Sequence, residues 1–359
     1  MILQSLTLQN FRSYKKIQFD FSPQVTIIIG PNTAGKSNLL ESLFLLSSGK
    51  SFRADKDVQM IHFGSNLARV TGVVEDSGGK ETLEVLVSSL ASTDTSRSFS
   101  KKFVRNGVPK RRVDFAGILP SLLFVPSDLD IITSSPTHRR GFLDSVLDLV
   151  DRDYRMSTTA YTRALRQRNA LLEIARETGI RNDQQFSYWD DLLIKNGNYI
   201  SEKREEFLDY CNEQSKDLLQ FFVVYDKSII SRDRLDQYRS AEAGSGVTLV
   251  GPHRDDVFVE QERGRDVRHF GSRGQQRLVV LQLKLLQLSF IEQKLKQRPL
   301  LLLDDIFSEL DNEHIADVLD IVGKQQTILT TTHQEFVPQE LRESAMVIEL
   351  KDYHMKEKE

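Results

Sequence analysis

The stretch that most limits what this chain can become runs from Val25 to Gly49: the strand-like VTIII, the loop GPNTAGKS, then NLLESLFLLSSG. A short, apolar, β-branched run such as VTIII predicts a strand covered on both faces. Leu39, Leu40, Leu43 and Leu46 then recur at helical spacing, and Gly49 supplies the stop. Residues 30 to 37 fit G-x-x-x-x-G-K-[ST] between that strand and that helix, the one context in which the pattern cradles phosphate. Gly30 and Gly35 let backbone N–H groups approach the phosphates, and the helix N-terminus adds positive potential. Pro31, Asn32, Thr33, Ala34 and Asn38 complete the loop and the turn that follows it. Lys36 is expected to reach the β and γ phosphates and the Ser37 hydroxyl to ligate Mg²⁺, so ATP and Mg²⁺ are the expected ligands.

A second apolar run, LLLLDD from Leu300 to Asp305, delivers two adjacent carboxylates to a strand end, where open α/β sheets bind ligands. Asp304 suits the Mg²⁺ shell, and Asp305 stands where hydrolysis needs a carboxylate to polarise the attacking water. On its own such a run could equally end in a helix cap. Downstream of a phosphate loop it reads as the second half of a nucleotide site.

Leu83 to Leu90 and Lys102 to Val108 read as strands, with Asn106-Gly107 as a hairpin turn, so an antiparallel section follows the first helix. Near Ser135-Pro136 the pattern turns helical, with Ser135 a candidate N-cap and Pro136 preset for the first helical position. Three further helices are expected: about 152 to 177, one carrying Trp189, Leu192 and Leu193, and about 199 to 220. No heptad pattern is sustained over the length a long coiled coil needs.

Composition narrows the setting. The first residues alternate apolar and polar and predict no signal peptide, and no run approaches the roughly 18 apolar residues of a membrane span. The single cysteine, Cys211, fits a reducing compartment, so a cytoplasmic protein with no membrane partner is expected. A net charge of -3 means that nucleic-acid binding would have to come from local patches. Two exist: seven Lys or Arg between Arg97 and Arg112 without an acid, and Arg163, Arg166 and Arg168. Each reads either as a solvated face or as a phosphate-binding surface.

FGSRGQQR, from Phe270 to Arg277, opens a long apolar helix 30 residues before Asp304 and resembles the ABC signature. That resemblance implies an anion site at Ser272, Gly274 and Gln275 for the γ-phosphate held by a partner subunit. SELD, ending at Asp311, resembles the D-loop, and His333 after ILTTT resembles the switch histidine.

Beyond these motifs the whole chain resembles the RecF family of DNA-gap repair ATPases, from LTLQNFR at Leu6 to Arg12 onward. KSNLLES, GKSFR, PSDLDII, SPTHRRGFLD, RALRQRNALL and LVGPHRDD carry the likeness more specifically than the nucleotide motifs. The resemblance implies an α/β fold: an ABC-type P-loop ATPase head, a mixed sheet with helices plus an antiparallel section, with an inserted compact, mainly helical second lobe. The head is expected to comprise 1–124 and 249–359, and the helical lobe 125–248.

The resemblance also implies an ATP-dependent homodimer on single-stranded DNA or gapped duplex, with hydrolysis as reset. Its implied partners are RecO and RecR, and functionally RecA, in replication and the damage (SOS) response. It points to Arg12 as a nucleotide contact, with an ordinary surface arginine as the alternative. Lys101, Lys102, Arg105, Lys110, Arg111 and Arg112 become candidates for DNA phosphates. Three departures stand out: Thr33-Ala34 for the more usual Gly-Ala, Arg273 where Gln is usual, and Asp305 where most ABC heads have Glu. The last predicts slow hydrolysis. Two rival readings are an ABC-like head coupled to a nuclease, for which no acidic cluster remains, and a binding module with little turnover.

Overall fold

A computed structural model describes residues 1–90, 98–261, 264–308 and 312–350. The chain divides into two compact units, Met1–Ser127 with the segment from Ile291 onward, and Asp128–Phe290.

The first unit opens with a hairpin of β1 (Ile2–Phe11) and β2 (Tyr14–Asp20), followed by β3 (Val25–Ile29) and helix α1 (Lys36–Ser48). Strands β4 (Leu67–Asp76), β5 (Gly79–Leu90), β6 (Ser98–Arg105), β7 (Val108–Lys110) and β8 (Ser121–Phe124) follow. Between β6 and β7, Asn106 and Gly107 both take positive φ, 50° and 76°, as a tight hairpin of this kind requires.

In the second unit, α2 (Pro136–Val150), α3 (Arg152–Thr178) and α4 (Asp183–Glu213) precede a small antiparallel sheet. That sheet holds β9 (Phe222–Asp226), β10 (Asp256–Gln261) and β11 (Arg265–Asp266), and α5 (Arg273–Leu295) leads out of the unit. The first unit is completed by β12 (Leu300–Asp304), α6 (Asn312–Val322), β13 (Thr327–Thr331) and β14 (Met346–Glu349).

The first unit has two sheets. One is antiparallel, in the order β2-β1-β4-β5-β6-β7; the other is wholly parallel, in the order β14-β3-β13-β12-β8. β3, β8, β12 and β13 are buried almost throughout, as continuous apolar runs in parallel sheets must be. Helix α1 lies between the sheets and touches both, so it is buried nearly all round: Leu39, Leu40, Leu43, Leu45 and Leu46 are fully buried. Burying five leucines contributes on the order of 10 kcal/mol before chain entropy is counted. Gly49 closes the helix in the left-handed conformation, its N–H donating to the Leu45 carbonyl. The Gln326 amide ties the layers together: it accepts from Leu3 N–H at 2.8 Å and donates to the Leu3 carbonyl at 2.7 Å, next to the bulge between Leu3 and Ser5.

The second unit differs from the sequence expectation in three ways. The expected break near 194–199 is absent: α4 runs unbroken for 31 residues. Gly197 is there for packing, because a Cβ would lie 2.8 Å from Ile230 and 3.1 Å from the Tyr161 ring. The region is also not purely helical, since β9 falls at Phe222–Asp226 within it. Finally, the compact division comes at Ile291 instead of 249, because β10 pairs with β9 and α2 packs on β10. Ser135 precedes Pro136 as expected, but its hydroxyl contacts His138 Nδ1 at 3.4 Å and bonds no backbone N–H of the first turn.

Buried charge holds this unit together. The Arg168 guanidinium, fully buried, reaches Asp190 at 2.6 Å and Glu242 at 2.7 Å and donates to the Thr248 hydroxyl. Arg204 bridges Asp144 at 2.8 Å and Asp255 at 2.9 Å and also donates to the Pro252 carbonyl. Removing one partner from such a cluster costs several kcal/mol, because a buried charge is left unmatched.

Candidate nucleotide site

The end of β3, the glycine loop and the end of β12 surround a cavity of about 440 Å³. Its wall includes Asn32, Thr33, Gly35, Lys36, Ser37 and Asn38 on one side and Asp304 and Asp305 on the other. The topology explains the meeting: β3, β13 and β12 are adjacent and parallel, so their C-terminal ends share one edge. Residues 268 positions apart, Lys36 and Asp304, therefore line one pocket.

Lys36 is buried, and its ammonium donates to the carbonyls of Gly30 at 2.7 Å and Pro31 at 3.0 Å. Burial pushes its pKa down, while the charges of Asp305 and Asp304 pull it back up. Asp304 accepts a hydrogen bond from the Thr330 hydroxyl at 2.6 Å, which fixes its carboxylate. The Asp305 backbone N–H donates to the Thr330 carbonyl, and its φ of 51° is left-handed. That conformation is rare for a residue with a side chain and marks a constrained position. The Ser37 hydroxyl and Asp304 carboxylate are hard oxygen donors on the same cavity, a set that fits Mg²⁺ shared with phosphate oxygens.

Gly30 has no room for a side chain, since a Cβ would stand 2.9 Å from the Leu350 carbonyl. Gly35 takes φ 99°, and a Cβ there would meet the Tyr14 hydroxyl at 2.6 Å. Thr33 adopts φ 76° although it is β-branched, which shows why glycine is the easier choice at that position. Pro31 accepts from Ala34 N–H within the loop.

The turn joining β1 and β2 holds the loop from beneath. Tyr14 donates to the Gly35 carbonyl at 3.1 Å, Asn38 donates to Ser13 Oγ at 3.0 Å, and Arg12 grips Glu41 with two nitrogens at 2.6 and 2.7 Å. Arg12 thus lies against a buried carboxylate of α1 and does not line the cavity. Arg53 does line it, donating to Asn38 Oδ1 at 3.1 Å. Sequence reading included Arg53, Glu41 and Thr330 only within quoted stretches and did not name Ser13 or Tyr14. No local pattern marks them, because each acts through a partner distant in sequence.

His333 is not on the wall of that cavity, although the Thr331 hydroxyl touches both the His333 carbonyl and the Asp305 carboxylate. It borders a second depression of about 510 Å³ with Gly30, Pro31, Glu349 and Leu350, and its ring meets Phe336 edge-on. Ser272, Gly274 and Gln275 belong to the other unit from the phosphate loop. There Ser272 N–H donates to Gln275 Oε1 at 2.9 Å and Gln275 N–H donates to Ser272 Oγ at 3.2 Å, a reciprocal cap on α5. Asp311 lies outside the described residues.

Most of the first basic patch is engaged within its own unit. Lys101 reaches Asp57 at 2.5 Å, Arg105 clamps Glu81 with two nitrogens, Arg111 pairs with Asp114, and Arg112 donates to the Ser48 carbonyl. Lys102 and Lys110 make no ion pair or hydrogen bond among the described residues. Arg97 lies outside those residues.

A glycine loop on a helix N-terminus and two carboxylates at the end of another parallel strand of the same sheet define a P-loop ATPase head of the ABC type. The family model for the RecF/RecN/SMC N-terminal domain matches residues 2–356. The DNA replication and repair protein RecF of Moorella thermoacetica is 36% identical over 97% of this chain and 94% of its own length. That of an Exiguobacterium species is 34% identical over 98% of both. Among solved structures, the recombination mediator protein RecF of the RecFOR pathway with ATP has a TM-score of 0.84 at 29% identity, covering 94% of this chain and 93% of that one. Its RecF-ATPrS form has a TM-score of 0.86 at 27% identity, covering 98% and 96%. The chain belongs to the RecF family.

Proposed function

We propose that this chain is an ATP-driven DNA clamp of recombinational gap repair. The observation that supports the reading best is the convergence of Lys36, Ser37, Asp304 and Asp305 on one cavity. Lys36 would leave the Gly30 and Pro31 carbonyls for the β and γ phosphates, and the loop N–H groups would hold the remaining oxygens. Ser37 and Asp304 would hold Mg²⁺, which supplies charge neutralisation at the phosphates. Asp305 would orient and deprotonate the attacking water, with His333 as a further contact to the γ-phosphate and Arg53 as an added cation on the cavity wall. Asn32, Thr33, Ala34 and Asn38 complete the nucleotide contacts. Arg12 acts through Glu41 in this reading.

Two protomers would sandwich two ATPs, each phosphate loop facing Ser272, Gly274 and Gln275 of the other copy, with Asp311 near the same junction. Hydrolysis, slow because Asp305 is shorter than Glu, would reset the dimer. The family likeness extends the reading to a cytoplasmic protein that binds single-stranded DNA and gapped duplex. It would work with RecO and RecR to load RecA, in replication and the SOS response.

The test is an anisotropy titration of a labelled gapped duplex at fixed salt, with ATP and Mg²⁺ against ADP and Mg²⁺. Tighter binding with ATP that is lost in Lys36→Met is the expected result; equal binding with both nucleotides would sink the clamp. A second reading, ATP as a conformational ligand without turnover, draws on the short carboxylate at Asp305. If the wild-type chain binds ATP but shows no turnover with or without DNA, that reading replaces the first; if Asp305→Asn leaves a measurable hydrolysis rate unchanged, Asp305 is not the residue that activates the water. The expected result is a loss of about 100-fold, the usual contribution of a positioned base.

A further inference from the structure

Of the two basic segments in the sequence, the second holds exposed arginines whose side chains have no ion pair among the described residues. Arg168 is buried against Asp190 and Glu242 and belongs to the core. Arg163 and Arg166 are exposed and make no ion pair or hydrogen bond among the described residues. On α3 the exposed positions Arg152, Met156, Thr159, Arg163, Arg166 and Ala170 follow steps of four, three, four, three and four. At roughly 100° per residue these six fall within about 80° of arc, forming one straight stripe along the helix. No Asp or Glu occurs from Tyr154 to Leu172; the acids of α3, Asp153, Glu173 and Glu177, lie toward its two ends. The outward face of α4 differs, carrying Asp191, Glu202, Glu205 and Asp209 beside Lys195.

We infer that the α3 stripe centred on Arg163 and Arg166 is a binding surface for the phosphodiester backbone of DNA. The inference rests on the DNA-binding reading above and locates its contact surface. An arginine already held by a carboxylate, as Arg105 is by Glu81, must break a two-point bond before it can take a phosphate. Arg163 and Arg166 need break none. They stand one turn apart, about 4.5 Å of rise, and each guanidinium can take one phosphate by a two-point bond. From Arg152 to Arg166 the stripe spans roughly 21 Å, about six base steps at 3.4 Å per step. It holds no large aromatic anchor of the kind protein interfaces favour. Sequence-independent backbone binding is what such a surface offers.

The experiment is a salt series of anisotropy titrations on a labelled gapped duplex with ATP and Mg²⁺. It compares the wild-type chain, Arg163→Gln/Arg166→Gln and Lys102→Gln/Lys110→Gln. Thermal midpoints of the variants serve as the control for folding. Losing two phosphate contacts per protomer, up to four in the dimer, should lower the slope of log affinity against log salt by about two to four and weaken binding by at least on the order of 10- to 100-fold. Arg163→Lys/Arg166→Lys should recover most of the slope, since it keeps the charges. If the double glutamine variant binds with wild-type affinity and slope, the surface lies elsewhere and this inference falls alone. If the wild-type chain binds no DNA, the clamp reading and this inference fall together.

Discussion

Thr33 carries a cost that a glycine would not. With φ at 76°, a β-branched residue sits in the left-handed region, at roughly 1–2 kcal/mol. Glycine removes that strain but adds unfolded-state entropy, a smaller effect of about 0.5–1 kcal/mol. Thr33→Gly should therefore raise the urea midpoint of the first unit, corresponding to about 1 kcal/mol, with an unchanged denaturant slope. A lowered midpoint would mean that the Thr33 hydroxyl, which donates to the Asn32 carbonyl, outweighs the strain. Gly35 presents the opposite case: its φ of 99° coincides with a Tyr14 hydroxyl that leaves no space for a methyl group. The glycine at 35 was legible from the motif. The threonine at 33 was visible as a departure, but its strain was not, because strain depends on the backbone angle.

Among the elements, α4 illustrates how packing overrules propensity. A glycine flanked by two asparagines, Asn196-Gly197-Asn198, reads as a helix break, and substitution by alanine would gain up to about 1 kcal/mol of helix propensity. Gly197 nevertheless faces Tyr161 and Ile230 at distances that a methyl group cannot share. Gly197→Ala should therefore destabilise the second unit by roughly 1–2 kcal/mol, measured by urea unfolding, and the opposite sign would show that α4 can shift to make room.

His253 belongs to the same scale. It accepts from the Tyr161 hydroxyl at 2.7 Å and donates to the Thr248 carbonyl at 3.1 Å. Burial lowers its pKa to about 4, helped by the charges of Arg254, Arg140 and Arg168 against the Thr248 carbonyl. The folded state thus refuses a proton that the unfolded chain accepts near pH 6.5. Stability from this group is complete above that pH and falls as the pH drops toward 4, by about 3 kcal/mol at most. Urea midpoints of the wild type and His253→Gln, followed from pH 7 to 4, should converge as the pH falls; parallel curves would remove His253 as the cause.

For the whole molecule, two compact units imply two cooperative transitions, only one of which contains the phosphate loop. A ligand that binds only the folded form stabilises it by about 2.7 kcal/mol at a hundred times its Kd. In calorimetry, ATP with Mg²⁺ should move the transition of the first unit upward, and should move the second as well only at concentrations where the ATP-held dimer forms through Ser272 and Gln275. A single transition that moves as one would show that the units unfold together.

The sequence by itself determined what acts over a few residues. The glycine loop, its strand and helix and the paired carboxylates are governed by local backbone geometry, so the candidate site was legible in the sequence, while the reciprocal cap at Ser272 was not. Tertiary structure decided everything that depends on distant partners. Arg12 read as either a nucleotide contact or an ordinary surface arginine, and nothing local in the sequence shows its ion pair with Glu41, 29 positions on. Arg105 and Arg168 counted as patch residues until Glu81 and Glu242 were found opposite them. Charge counting along a chain sums neighbours in sequence, whereas the field at a surface is set by neighbours in space. Only the fold could show that, within the second cluster, Arg168 is spent in the core while the Arg163 and Arg166 side chains have no ion pair among the described residues.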